Sequence, residues 1–370
     1  MLGVYVHWPY CARICPYCDF NVYKTRAVDE EAWANALLRD LGYWAARTPN
    51  RRLDSLYFGG GTPSLAPVRL VERVIDACAR LWGFDRNPEI TIEANPTDAE
   101  RARFADLAAA GVNRLSLGVQ SLRDEALAFL GRNHAADGAR RAIATAGTVF
   151  ERTTFDLIYA RPDQSLDDWR AELGEALALG VSHLSLYQLT IEPGTAFDAQ
   201  VAAGRWTPAD DALCADAFDL SQEMTAAAGL PAYEISNHAA PGAQSRHNRL
   251  YWTYQDYIGV GPGAHGRVSS GGARLATQTP RRPQDYLAAD WTPTQTPLSE
   301  DDQTVERFSF GLRLHEGMPL DEKDPFFSRN GARERLDRLI ADGLLSWDGR
   351  RLAATTRGRR LLNAVLCELL

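Results

Sequence analysis

Six short apolar runs, rich in β-branched and aromatic residues and separated by stretches of helical spacing, fill the first 190 or so positions and limit the folds open to this chain. They are GVYVHW (3–8), LDSLYFGG (53–60), EITIEAN (89–95), RLSLGVQ (114–120), TTFDLIYA (153–160) and HLSLYQLT (183–190), with a weaker seventh, AYEIS, at 232–236. Segments such as DEEAWANALLRDLGYWAAR (29–47) and DDWRAELGEALALG (167–180) repeat apolar residues at helical intervals. Strand–helix alternation gives an α/β fold with a parallel sheet and right-handed crossovers. Six units predict a partial (β/α)6 TIM-like barrel, although an open doubly wound sheet produces the same pattern. The barrel core is expected over 1–236.

Beyond it the periodicity fades. Residues 237–300 are rich in Gly, Pro and aromatics and read as a long ordered connecting loop. Residues 301–370 read as a small α+β domain of winged-helix type: helices near 302–315 and 331–342, two short strands about an Asp-Gly turn at 348–349, and a closing helix. No run of about 18 uncharged apolar residues occurs, so no membrane span is expected. The amino terminus lacks the basic and apolar regions of a secretion signal, which predicts a cytoplasmic protein. A net charge of −8 argues against a chain that coats nucleic acid.

The cysteines carry the chemistry. Three of six fall within eight residues, as Cys11-x-x-x-Cys15-x-x-Cys18 just after the first strand. The others, Cys78, Cys214 and Cys367, stand alone in helical patterns and read as buried small hydrophobes. Closely spaced thiolates bind iron–sulfur clusters or zinc. Structural zinc wants four protein ligands, and no fourth follows at finger-like spacing; His7 is the nearest candidate and reads as a packed strand residue. Three thiolates would satisfy three irons of a four-iron cluster and leave one open.

Gly59-Gly60-Gly61-Thr62-Pro63-Ser64 caps the second strand, where glycines let backbone groups approach a ligand. It lacks the Lys-Ser/Thr of a phosphate loop. Glu93, Asn95 and Gln120 lie at strand ends and Asp156 within the fifth strand. Parallel barrels gather their chemistry at the carboxyl ends of strands, so these groups should ring one pocket.

The Cys-x-x-x-Cys-x-x-Cys spacing beside an amino-terminal strand resembles the radical-SAM superfamily. That resemblance implies a [4Fe-4S] cluster whose open iron binds S-adenosyl-L-methionine, and an electron from the cluster that cleaves the sulfonium. A narrower resemblance, to the oxygen-independent coproporphyrinogen III oxidase group, covers essentially the whole chain. YVHWPYC, YFGGGTPS, IEANPTD, LSLGVQS, GRNH and FDLIYA occur in the expected order. It implies that Tyr5 and Tyr17 touch the cofactor near the cluster, and that Gly60, Gly61 and Thr62 hold its amino-acid end. It also implies that Glu93, Gln120, Arg132 and Asp156 contact its ribose, carboxylate or sulfonium surroundings.

Two departures from the oxidases point to their heme-chaperone branch. Phe20 stands where the oxidases carry a fourth Cys, and the first Cys is only the eleventh residue. That branch also carries a His-Asn-x-x-Tyr-Trp motif, present here as His247-Asn248-Arg249-Leu250-Tyr251-Trp252. A neutral imidazole suits heme iron and aromatic rings suit a flat macrocycle, so the resemblance makes His247 a candidate heme contact. The bland alternative is a loop histidine with Tyr-Trp plugging the barrel floor; His265, in GPGAHG, is a second candidate. The resemblance further implies heme-acceptor proteins and an electron donor as partners, and it leaves room for peripheral membrane contact; the oligomeric state stays open. The oxidase activity is the main alternative. RNA modification is a third, because Arg350, Arg351, Arg357, Arg359 and Arg360 cluster near the carboxyl end.

Overall fold

The computed structural model describes residues 1–25 and 27–370. Strands β1 (Leu2–Trp8), β2 (Leu53–Gly60), β3 (Phe84–Ala94), β4 (Arg114–Gln120), β5 (Arg152–Tyr159) and β6 (His183–Gln188) lie side by side in chain order, all parallel. The six expected units are present as an open, barrel-like sheet. Apart from positions 85–87 and 187–188 their residues are buried or half-buried, as expected of parallel strands flanked by crossover helices. On one face Leu2, Val4 and Val6 join Trp33, Leu37 and Leu41 of helix α1 (Glu30–Ala45) in the main core. Asp29 caps that helix, its carboxylate accepting from the amide of Ala32 at 3.0 Å.

The other face is polar. The parallel register places Tyr5 beside Tyr57, Ser55 beside Glu89, Glu93 beside Ser116, and Asp156 beside Ser185. These side chains line the interior of the sheet's curve, so the enclosed space is lined for recognition and not filled by aliphatics.

The sequence reading needs two corrections here. AYEIS (232–236) is not a strand: the buried Glu234 carboxylate accepts from the amide of Ser236 at 2.8 Å and from Asn237 Nδ2 at 2.6 Å, and the backbone coils around it. The strand falls just after, as β7 (Asn237–Ala239), antiparallel to β6. The expected loop over 237–300 is largely regular. Helix α2 (Arg246–Trp252) leads into β8 (Asp256–Val260), which pairs in parallel with the free edge of β1. Strands β9 (His265–Ser270), β10 (Ala273–Gln278) and β11 (Thr294–Pro297) then extend the sheet antiparallel, to eleven strands in all. DYIGV is too short and too Gly-interrupted to announce itself as a strand.

Residues 300–370 build a second core around Phe308, Phe326, Leu336 and Leu352. Helices α3 (Glu300–Gly311) and α4 (Ala332–Ala341) precede β13 (Leu345–Trp347) and β14 (Arg351–Ala354), which join about Asp348-Gly349. A third short strand, β12 (Met318–Pro319), pairs with β14 and completes the winged-helix-like sheet. The unit docks on the barrel through Arg313–Glu234 at 2.9 Å and the bidentate pair of Arg267 with Glu306. Of the lone cysteines Cys78 is buried as expected, Cys214 is half-buried, and Cys367 is exposed because it falls on the outer face of the last helix. Among the described residues no helix is long and apolar enough to cross a membrane.

Candidate functional site

The loop after β1 carries Cys11, Cys15 and Cys18, all half-buried, to the mouth of a cavity of about 390 Å³ at the carboxyl ends of the strands. Gly60, Gly61, Thr62, Glu93, Gln120, Arg132 and Asp156 line the same space, and Tyr17 joins them from the cysteine loop. The residues gathered by resemblance from positions 5 to 156 thus meet in one place, except Tyr5. It sits inside β1, below the loop, and faces a different cavity.

Local geometry explains the gathering. Gly60 has φ of 105°, and a Cβ there would lie 2.6 Å from the His7 ring. A Cβ on Gly61 would come within 2.7 Å of the Tyr10 carbonyl and 3.0 Å of Cys11 Sγ, so only glycine lets this strand end approach the thiols. Gln120, at the end of β4, has φ of 71° next to a register shift, a costly conformation for a non-glycine that aims its side chain into the cavity. Arg132 donates from Nη1 to Cys15 Sγ at 3.2 Å, from Nη2 to the Gly118 carbonyl at 2.7 Å, and also to Asn95 Oδ1. Asn95 Nδ2 in turn donates to Thr62 Oγ1 at 3.1 Å. A half-buried cation therefore braces one thiol against two strand ends, and its buried Nε has no partner among the described residues.

Burial dominates the electrostatics. Glu93 accepts from Tyr57 OH at 2.8 Å and from the Gly60 amide at 3.2 Å, yet desolvation, reinforced by nearby Asp156, pushes its carboxyl up to about 7. Asp156 is raised to about 6, also by burial. Two carboxyls that ionise near neutrality and face one cavity suit a ligand carrying positive charge and hydroxyls.

The three thiols, with the glycine cradle and Arg132 behind them, fit a polynuclear iron–sulfur cluster held from one side. Among the described residues, no three His, Cys, Asp or Glu side chains converge as they would on a single metal ion.

The second cavity, about 650 Å³, shares Gly60, Glu93, Asp19 and Phe20 with the first. Its wall is aromatic: Tyr5, Tyr251, Trp252, Tyr257 and Phe310. Phe20 is 63% exposed at the boundary. His7 lies at the base, Nε2 bonded to the Asn21 carbonyl at 3.0 Å and Nδ1 to Tyr5 OH at 3.1 Å, so it is packed as expected. Asn21 Nδ2 donates to the carbonyls of Pro262 and Arg281, which fastens the cysteine loop to the segment bearing His265.

His247 does not line either cavity. It is 1% exposed, with Nδ1 bonded to Ser55 Oγ at 2.8 Å and Nε2 to Tyr251 OH at 2.7 Å, and its ring stacks on Tyr57 at 4.9 Å. Burial lowers its pKa to about 3, so the ring is neutral. Both ring nitrogens are occupied, and what His247 delivers to the aromatic wall is the orientation of Tyr251.

Sequence reasoning missed the contribution of the segment after β6. Tyr187, Gln188, Thr190 and Glu192 close the first cavity opposite the thiols. The rule that chemistry gathers at strand ends, applied to β6 as to β3 and β4, would have found them. Glu100 was also missed: its carboxylate accepts from the Asn95 amide at 2.7 Å and from Ser64 Oγ, fixing the loop that carries Asn95.

The profile of the radical SAM superfamily matches residues 5–174. Over its whole length the chain is 38% identical to the mitochondrial radical S-adenosyl methionine domain-containing protein 1 of Bos taurus, covering 87% of that protein. It is 38% identical, over 99% of its length, to the heme chaperone HemW of Escherichia coli (strain K12), covering 97% of it. The Mycobacterium tuberculosis (strain ATCC 25618 / H37Rv) heme chaperone HemW is 37% identical over the full chain, 94% of that protein being covered. Among solved structures, the radical-SAM coproporphyrinogen III oxidase HemN of Escherichia coli superposes with a TM-score of 0.81 at 22% identity, over 100% of this chain and 89% of that one, a likeness of fold.

Proposed function

The chain belongs to the HemW family of radical-SAM proteins, and from that premise we propose that it holds an iron–sulfur cluster and S-adenosylmethionine in the first cavity, binds heme in the second, and passes heme to acceptor proteins. The observation that carries this reading is the pair of contiguous cavities, one walled by thiols and carboxyls and the other by aromatic rings.

Cys11, Cys15 and Cys18 would hold a [4Fe-4S] cluster. Such a cluster, when bound, chelates the amino-acid end of S-adenosylmethionine at its open iron and supplies an electron. Gly60, Gly61 and Thr62 offer backbone and hydroxyl groups to that end of the ligand. Glu93 and Asp156 offer carboxylates to its ribose and sulfonium, and Gln120 an amide. Arg132 keeps its positive charge beside Cys15. An electron donor, heme-acceptor proteins and a cytoplasmic location complete the reading.

A pH dependence follows from Glu93. Its carboxyl is half-protonated near 7, so a cationic ligand meets a neutral acid below that pH and a carboxylate above it. Affinity for S-adenosylmethionine should rise between pH 6 and pH 8; a one-unit lowering of the Glu93 pKa on binding corresponds to about tenfold. Anaerobic equilibrium dialysis checks this, and Glu93→Gln should flatten the profile.

The oxidase alternative is set apart by Phe20, an apolar, exposed ring on the cavity boundary where the resemblance puts a fourth cysteine in the oxidases. Cluster-loaded protein should bind heme at about one per chain and leave coproporphyrinogen III unchanged in an anaerobic assay. Conversion to protoporphyrinogen would restore the oxidase.

A further inference from the structure

Resting on the reading of the aromatic cavity as a heme seat, we propose that His265 is the protein's ligand to the heme iron, while His247 is a positioning residue that holds Tyr251.

An imidazole can bind iron only through a nitrogen that is free and pointed into the cavity. Two histidines line the cavity, His7 and His265. Both nitrogens of His7 are committed, to Tyr5 and Asn21. Those of His247 are committed to Ser55 and Tyr251, and its ring is sealed from the cavity. His265 is exposed, and neither of its nitrogens has a hydrogen-bond partner among the described residues.

Its place in the fold is built with care. His265 opens β9 in register with Gln278 of β10, which lines the same wall. Gly259 of β8 lies so close beneath that a Cβ would come 2.1 Å from the His265 carbonyl; glycine is required for the turn to bring His265 back over the cavity.

The surroundings match the rest of the ligand. Flat aromatic faces from Tyr251, Tyr257 and Phe310 suit a macrocycle. Arg281, exposed on the same lining and without a carboxylate partner among the described residues, suits a ligand's carboxylates. The Trp252 indole N–H is buried without a partner on this wall, a donor available to the ligand's polar edge.

The test uses cluster-loaded protein under anaerobic conditions. Ferric heme binding is followed by titration and by the electron paramagnetic resonance signal of its iron; metal-free protoporphyrin IX is followed by fluorescence. For His265→Ala we expect heme affinity to fall about tenfold or more and the iron signal to change, with protoporphyrin IX affinity within about twofold of the parent. His247→Ala should keep the parent's iron signal. An unchanged signal and affinity in His265→Ala overturns the ligand assignment and leaves the heme reading standing, as does loss of the signal in His247→Ala alone. Failure of the parent protein to bind either tetrapyrrole overturns the heme reading itself.

Discussion

Cys15→Ala is expected to strip the protein of its iron, from about four atoms per chain in anaerobically reconstituted material to fewer than about one. A cluster held by three thiolates already spends its fourth iron on an external ligand, so two protein sulfurs cannot retain it. Cys15 also accepts from Arg132 at 3.2 Å, so the substitution leaves a half-buried guanidinium facing apolar carbon. The loop itself should survive, because Asn21 and His7 anchor it independently of the thiols. Cys78→Ala, deep in the core behind the sheet, is the matched control and should keep its iron. Iron and sulfide analysis of both variants decides the matter. Parent-like iron in Cys15→Ala, or zinc in the parent, would remove the basis of the proposed chemistry.

The second large effect concerns folding. Glu89, on the inner face of β3, takes Arg152 at 2.8 Å and lies 3.9 Å from Arg114. It also accepts from Ser245 Oγ and from the amides of Arg246 and His247, each at 3.1 Å. One carboxylate thus faces the buried Arg114 and the half-buried Arg152 and sits at the amino end of α2, where the helix dipole favours negative charge. These contacts hold its pKa below the usual range despite burial, chiefly through Arg114 and Arg152. Glu89→Ala leaves the buried Arg114 and the half-buried Arg152 without a carboxylate, together with three unsatisfied donors, and should destabilise the chain by about 3–5 kcal/mol. Chemical denaturation measures it. A change under about 1 kcal/mol would mean that the arginines reach water readily. Because α2 carries Tyr251 and Trp252, heme affinity should fall with stability.

Much of this was legible in the sequence because local chemistry announced it. The strands of the barrel alternate apolar and polar residues in step with the pleat, and the ligand-facing groups sit at strand ends, so the first cavity could be drawn from motifs. The second could not. Its walls come from positions 5, 251, 257, 265 and 310, and the parallel pairing of Asp256–Val260 with β1 is what brings the first of them beside the segment that carries the rest. No periodicity marks a five-residue strand, and nothing local says that it joins the far edge of the sheet. His247 shows the same limit. Its motif is conspicuous, but whether an imidazole faces a ligand or a serine depends on a contact 192 positions away, Ser55.

The pairing of β1 with β8 also bears on how the chain is made. Leu2 to Val6 leave the ribosome well before Asp256 to Val260, yet one edge of that strand finds its partner only when the later segment emerges. Through most of synthesis an apolar strand with unmet backbone donors and acceptors stands open to other nascent chains. Completion of the sheet is therefore a late event in translation. Truncated products that stop short of β8 should aggregate, and those that include it should remain in solution.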